Sequence, residues 1–109
     1  MSPVQRDIVR FRVLQAIEKN PKASQRELAK ELGVSLGSVN FCLKALVDKG
    51  LVKIENFVKS DHKKGYAYYL TPTGVVEKGE ITAQFLKRKV AEYELLKQEI
   101  EELKCQVNS

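Results

Sequence analysis

The sequence predicts a mainly helical fold with one small β-hairpin and a long C-terminal helix. Three observations predict it. Apolar residues recur at steps of three and four in four segments, each opened or closed by a capping or breaking residue. One interval near residues 51–70 switches to alternation and is rich in β-formers. From Ile81 onward no glycine or proline interrupts the chain.

The first helix carries Val4, Ile8, Phe11, Leu14 and Ile17 on one stripe. Arg6, Asp7, Arg10, Arg12, Glu18 and Lys19 fall mostly between them. Asn20-Pro21 ends it, because the residue before a proline is pushed out of the α region. The second helix opens on Ser24-Gln25-Arg26-Glu27, a capping box in which the Ser24 hydroxyl accepts from the Glu27 amide and Glu27 reaches back. Leu28, Ala29 and Leu32 form its buried face, and Gly33 supplies the positive φ that stops it. Val34 follows as an apolar plug. Ser35 caps a third helix, with Val39, Cys42, Leu43, Leu46 and Val47 inward and Gly50 at its end.

Two short strands follow. Val52 and Ile54 share one face of the first, and Tyr66, Tyr68 and Leu70 share one face of the second. Between them, residues 59–65 read as a long, flexible, basic tip. Thr71-Pro72 then starts the last helix, with Thr71 as cap and Pro72 in the first turn. Gly74 and Gly79 weaken its opening turns. Leu86, Val90, Tyr93, Leu96, Ile100, Leu103 and Val107 form a seam along it. Most of the seam is heptad-like, although the successive threes at 90, 93 and 96 break strict register.

At 109 residues the chain has room for one ordinary domain. It divides by pattern into a head at residues 1–71 and a helical arm at residues 72–109. Charge divides the same way. The head holds thirteen Lys/Arg against seven Asp/Glu, whereas the arm holds six against seven. A basic head on a neutral-to-acidic arm suits a polyanion-binding module joined to an oligomerisation element. No stretch approaches the roughly 20 apolar residues that span a bilayer. The N-terminus also lacks the apolar run of a signal peptide, so a cytoplasmic location without membrane association is expected.

Several chemistries find no support. Cys42, Cys105 and the single histidine His62 match no metal-ligand spacing, so no metal is expected. There is no phosphate-binding glycine loop, and Glu99, Glu101 and Glu102 read as a solvated helix face. No catalytic constellation emerges, so the chain is not expected to be an enzyme or to need a cofactor. Cys42 sits at an inward position and reads as a small buried hydrophobe. Cys105 near the C-terminus can form an inter-chain disulfide if oxidised.

The most specific signal is the pair of helices around Gly33. A small residue, Ala29, stands where the two helices cross. Gly33 allows the tight turn, and Val34 and Val39 lock the pair. These spacings, followed by a β-hairpin, match a winged helix-turn-helix. The run Ser24-Gln25-Arg26-Glu27-Leu28-Ala29-Lys30-Glu31-Leu32-Gly33-Val34-Ser35 resembles the helix-turn-helix of MarR-type winged-helix regulators. The continuation from Leu43 through Val52, and Tyr68-Tyr69-Leu70-Thr71-Pro72-Thr73-Gly74 after the wing, resemble that family too. The overall pattern is most similar to the short MarR-type subgroup associated with exopolysaccharide gene clusters. The resemblance implies a homodimer that binds a pseudo-palindromic operator in double-stranded DNA, as a repressor. The chain departs from the general plan in length, with one long helix where larger members build a ligand pocket between the head and a multi-helix dimer region. The sequence names no small-molecule effector.

The candidate reading surface is the outer face of the third helix: Ser35, Leu36, Gly37, Ser38, Asn40, Phe41 and Lys44. In a major groove, Ser38 and Asn40 can bond base edges, and Leu36 or Phe41 can touch a thymine methyl. Phe41 can instead pack against the wing. Ser35 and the helix N-terminus suit a phosphate, and Lys44 suits the DNA backbone. No arginine stands near position 41, which shifts the expected readout toward phosphate contacts and DNA shape. Lys59, His62, Lys63 and Lys64 on the wing, with Arg26 and Lys30 on the second helix, supply candidate phosphate contacts. The seam of the last helix cannot be covered by so small a head and is expected to pair with a second copy, or to pack on the partner's first helix. The competing reading is a winged-helix protein-interaction module with a coiled-coil arm. RNA binding is a lesser option, since no aromatic stacking platform stands out.

Overall fold

The structure is a computed structural model. It describes the backbone of residues 3–61 and 63–108, and the side chains of residues 6–58, 60–61 and 63–108. The elements run α1 (Pro3–Lys19), α2 (Gln25–Leu32), α3 (Leu36–Asp48), β1 (Val52–Ser60), β2 (Lys63–Leu70) and α4 (Pro72–Asn108). The chain is a winged helix-turn-helix: α2 and α3 form the motif, an antiparallel β1–β2 hairpin is the wing, and α4 extends away.

Local chemistry sets the helix ends. The Glu27 amide donates to Ser24 Oγ at 3.1 Å, and the Ser38 amide donates to Ser35 Oγ at 3.0 Å. Caps of this kind stabilise a helix by about 1 kcal/mol each. Gly33 takes φ 68° and the Val34 amide returns to the Ala29 carbonyl at 3.1 Å, which closes the turn between the two helices.

The core is built around α1. Val13, Leu14, Ala16 and Ile17 are buried there against Leu28 and Leu32 of α2, Val39, Leu43 and Leu46 of α3, and Leu51, Val52 and Tyr68 at the wing base. α1 therefore buries a broader face than the expected stripe, which omitted Val13 and Ala16. The cause is its central position, with α2, α3, α4 and β2 all packed on it. Phe11 is only partly buried, and the Val4 side chain lies outside the described residues.

The wing differs from the expected long loose tip. β1 continues to Ser60 and β2 begins at Lys63, so pairing reaches almost to the turn. Phe57 lies opposite Gly65, and its ring occupies the space a Cβ at Gly65 would need, 2.7 Å from Cζ. Lys22 Nζ covers the same ring at 5.1 Å from its centroid. An aromatic ring laid over a strand glycine restores the packing that glycine lacks and extends the ladder. The register shifts between Val58 and Ser60, which marks a bulge. Of the strand residues expected to share a face, Val52 and Tyr68 are buried but Ile54 and Tyr66 are exposed, because the wing projects beyond the head. The Tyr68 amide donates to the Pro21 carbonyl at 2.9 Å and ties the wing to the loop after α1.

α4 runs unbroken for 37 residues, so its two glycines do not interrupt it. Thr71 Oγ1 accepts from the Gly74 amide at 3.0 Å and donates to the Gly50 carbonyl at 2.6 Å. The Thr71 amide donates to the Leu51 carbonyl at 3.0 Å. That carbonyl lies over Gly74, where an added Cβ would sit 2.0 Å from the oxygen. Further along, Ile81 enters the core and the Phe85 ring stacks on Phe11 at 5.3 Å. Lys78–Glu18 at 2.7 Å, Arg10–Glu77 at 3.8 Å and Arg88–Asp7 at 3.7 Å flank that contact. No helix among the described residues is long and apolar enough to cross a membrane.

The two glycines of α4 should respond oppositely to alanine. Gly74→Ala forces the Leu51 carbonyl aside and should cost about 2 kcal/mol or more. Gly79 faces open space, so Gly79→Ala should stabilise by up to about 1 kcal/mol. Urea denaturation followed by circular dichroism reads both; equal effects would contradict the junction described above.

Candidate nucleic-acid interface

α3 presents its N-terminal half to solvent. Ser35, Leu36, Gly37, Asn40, Phe41 and Lys44 are exposed and Ser38 is half-buried. Positions 37, 40, 41 and 44 share one helical face, opposite the buried Val39, Leu43 and Leu46. The Ser35 hydroxyl donates to Ser38 Oγ at 2.9 Å while accepting the Ser38 amide. Ser38 Oγ therefore acts as an acceptor inside the chain and keeps its own O–H for another group.

Asn40 is held from behind. Its Nδ2 donates to Gln25 Oε1 at 3.1 Å, and Gln25 Nε2 donates to the Tyr68 hydroxyl at 3.1 Å. One relay thus joins β2, α2 and α3. The Asn40 carbonyl oxygen and its second N–H make no further hydrogen bond among the described residues. Gln25 was not foreseen as a site residue. The one available signal was Tyr68: a tyrosine that becomes buried needs a partner for its hydroxyl, and Gln25 supplies it.

Phe41 is 74% exposed. It lines the groove beside α1, so most of its ring stays open to solvent. Arg26 and Lys30 on α2, Lys44 on α3, and Lys63 and Lys64 on β2 are all exposed and form no ion pair among the described residues. Lys63 and Lys64, expected on a flexible loop tip, lie instead in β2. They are successive strand residues, so their side chains project to opposite faces of the wing. His62 and the Lys59 side chain lie outside the described residues.

An open groove of about 930 Å³ separates α1 from α3, with Arg6, Val9, Arg10, Phe41, Cys42 and Leu46 among its walls. Cys42 is buried at its floor. Burial pushes the thiol up from its ordinary range, and the Arg10 charge opposes this in part. Among the described residues no three His, Cys, Asp or Glu side chains gather as a metal site.

The expected pairing residues lie far from this surface. Leu86, Val90, Tyr93, Leu96, Ile100, Leu103 and Val107 are 44–83% exposed, and Leu95 on another side of α4 is exposed as well. The head covers none of them.

Fold and surface together define a winged helix-turn-helix with an uncovered third helix, a basic wing and a protruding arm. Residues 6–53 match the family model described as winged helix-turn-helix DNA-binding. Among solved structures, the chain is similar to a PadR-like transcriptional regulator from Bacillus cereus, with TM-score 0.75 and 20% identity over 87% of this chain and 97% of that one. It is also similar to a transcriptional regulator homologue from Pyrococcus horikoshii, with TM-score 0.59 and 22% identity over 78% and 82%. A third is MarR from Staphylococcus aureus in complex with salicylate and kanamycin, with TM-score 0.51 and 26% identity over 76% of this chain but 55% of that one. The chain spans little more than half of that MarR and nearly all of the PadR-like protein. No curated protein sequence matched the chain.

Two outcomes test this geometry. Gln25→Ala leaves the Tyr68 hydroxyl without its partner and should lower stability by about 1–2 kcal/mol in urea denaturation. At pH 7.5 a thiol reagent should modify one cysteine per folded chain quickly, the exposed Cys105. Cys42 is buried and its raised pKa disfavours the thiolate, so it should react much more slowly, chiefly on unfolding. Two fast thiols would contradict the burial of Cys42.

Proposed function

We propose that this protein is a sequence-specific, double-stranded-DNA-binding transcriptional regulator that acts as a homodimer on a pseudo-palindromic operator. The observation that carries the reading is the exposed face of α3, with Asn40 oriented by Gln25 and unneutralised cations on either side. Asn40 retains both a donor and an acceptor, the pair that reads the N7 and N6 edge of adenine. Ser38 offers a second contact, Leu36 and Phe41 meet thymine methyls, and Ser35 with the start of α3 receives a phosphate. Arg26 and Lys44 follow the DNA backbone. Lys63 and Lys64, with Lys59 and His62, bring the wing to the phosphates or the minor groove.

In this reading residues 1–71 read DNA and residues 72–109 pair two copies, with the first turns of α4 serving both through Ile81 and Phe85. Seven apolar side chains left exposed on one arm support the pairing, since burying each one fully is worth about 1.5–3 kcal/mol. The resemblance to the exopolysaccharide-associated subgroup supports repression of polysaccharide synthesis genes.

The exposed Phe41 and Val58 favour a second reading, a winged-helix module that docks on another protein. Gel shifts over a salt series separate the two. DNA affinity should fall steeply with salt, and Lys63→Ala with Lys64→Ala should reduce the log–log slope by about 1–2. Asn40→Ala should cost about 1–3 kcal/mol on the specific site and little on random DNA. Absence of a shift at low salt on the chain's own promoter region would favour protein docking. A chain ending at Lys89 keeps the Phe11–Phe85 stack and should sediment as a monomer; a dimer there would refute pairing through the arm.

A further inference from the structure

Residues 89–108 of α4 are exposed along their whole length. Their apolar residues follow one line. From Leu86, steps of seven reach Tyr93, Ile100 and Val107; a second series three residues further on holds Lys89, Leu96 and Leu103. These are the a and d positions of three continuous heptads. Val90 falls one residue off the line, at e. The irregular spacing arises only when Val90 is counted in the seam. Lys89 is the one polar seam residue, and its ammonium turns aside to Glu92 at 3.1 Å and to the Phe85 ring at 5.4 Å. Its methylenes remain beside the seam.

The residues flanking the seam decide how a second helix lies on it. Glu92 and Glu99 occupy g, and Lys97 and Lys104 occupy e. In a parallel, in-register pair each g residue faces the e residue five positions further along the other helix. Glu92 of one copy then meets Lys97 of the other, Glu99 meets Lys104, and symmetry repeats both. In an antiparallel pair g faces g and e faces e, which sets Glu against Glu and Lys against Lys. The seam is compatible with the charges: β-branched Ile100 and Val107 at two of the four a positions, with Leu96 and Leu103 at d, suit two strands once the pair is parallel.

We propose that residues 86–107 form a parallel, in-register, two-stranded coiled coil with a second copy of this chain. The inference rests on the homodimeric reading above and adds the direction and register of pairing. It places both heads at one end of the arm. It also places Cys105 at f, on the far side from the partner, so this exposed thiol does not link the two chains.

The test uses the full chain carrying Cys105→Ser, with Leu96→Cys or Leu103→Cys added singly, under mild oxidation. Both variants should run almost entirely as disulfide-linked dimers on a non-reducing gel, since each d residue of a parallel pair adjoins its own copy. An antiparallel pair brings at most one of the two sites next to itself. Linkage at one site alone, or at neither, overturns the proposal. Glu92→Lys with Glu99→Lys should raise the dimer dissociation constant at least about tenfold by sedimentation. Adding Lys97→Glu with Lys104→Glu should restore it. An unchanged constant in the first variant overturns the g-to-e pairing, because in an antiparallel pair that variant only exchanges one repulsion for another. Wild-type chain that sediments as a monomer at tens of micromolar overturns the homodimeric reading as well, whereas a dimer with the wrong linkage pattern overturns only its direction.

Discussion

The Leu51 carbonyl accepts the Thr71 amide at 3.0 Å and lies directly over Gly74, so the start of β1, the end of β2 and the first turn of α4 meet at one point. Thr71 completes the contact by capping α4 and bonding the Gly50 carbonyl with the same hydroxyl. Little else could fill this place. A side chain at position 74 would push the backbone apart, and a residue without a hydroxyl at 71 would leave the helix end uncapped. Because the wing closes and the arm departs here, the direction of α4 is set by backbone contacts and not by a hinge. Ile81 and the Phe11–Phe85 stack then hold that direction for several turns.

Features governed by near neighbours were legible in the sequence. Ser24 with Glu27, Gly33, Ser35 with Ser38, and Thr71 with Gly74 all act within three or four residues, and their chemistry admits few alternatives. The helix-turn-helix, the hairpin and the long last helix followed from them. Features governed by distant partners were not legible. The length of the wing depends on Phe57 covering Gly65 across the ladder, so a segment that looks like a flexible basic tip is mostly paired strand. The breadth of the α1 face depends on four elements packing around it, which a single-stripe pattern cannot represent.

The candidate reading surface shows the same division. Its members on α3 could be named from helical periodicity alone, because the inward set Val39, Leu43 and Leu46 leaves only one outward face. What positions Asn40 could not be named so easily. Gln25 reaches it across fifteen residues of sequence and reaches Tyr68 across forty-three. The relay makes the wing and the reading helix parts of one hydrogen-bonded body. In the proposed function this would offset part of the missing arginine on α3, since an amide held in one orientation loses less freedom on contact than a mobile one.

The unbroken course of α4 has a geometric consequence. A helix turns about 100° per residue, and the same helix both closes the head through Ile81 and carries the exposed seam from Leu86 onward. One residue inserted between Phe85 and Tyr93 would leave the head intact yet swing the seam by more than a quarter turn around it. Seven residues would return it almost to its starting azimuth and lengthen the arm by about 10 Å. For a seam that pairs as proposed, arm length changes in steps of the heptad, and single-residue changes act as rotations of the head.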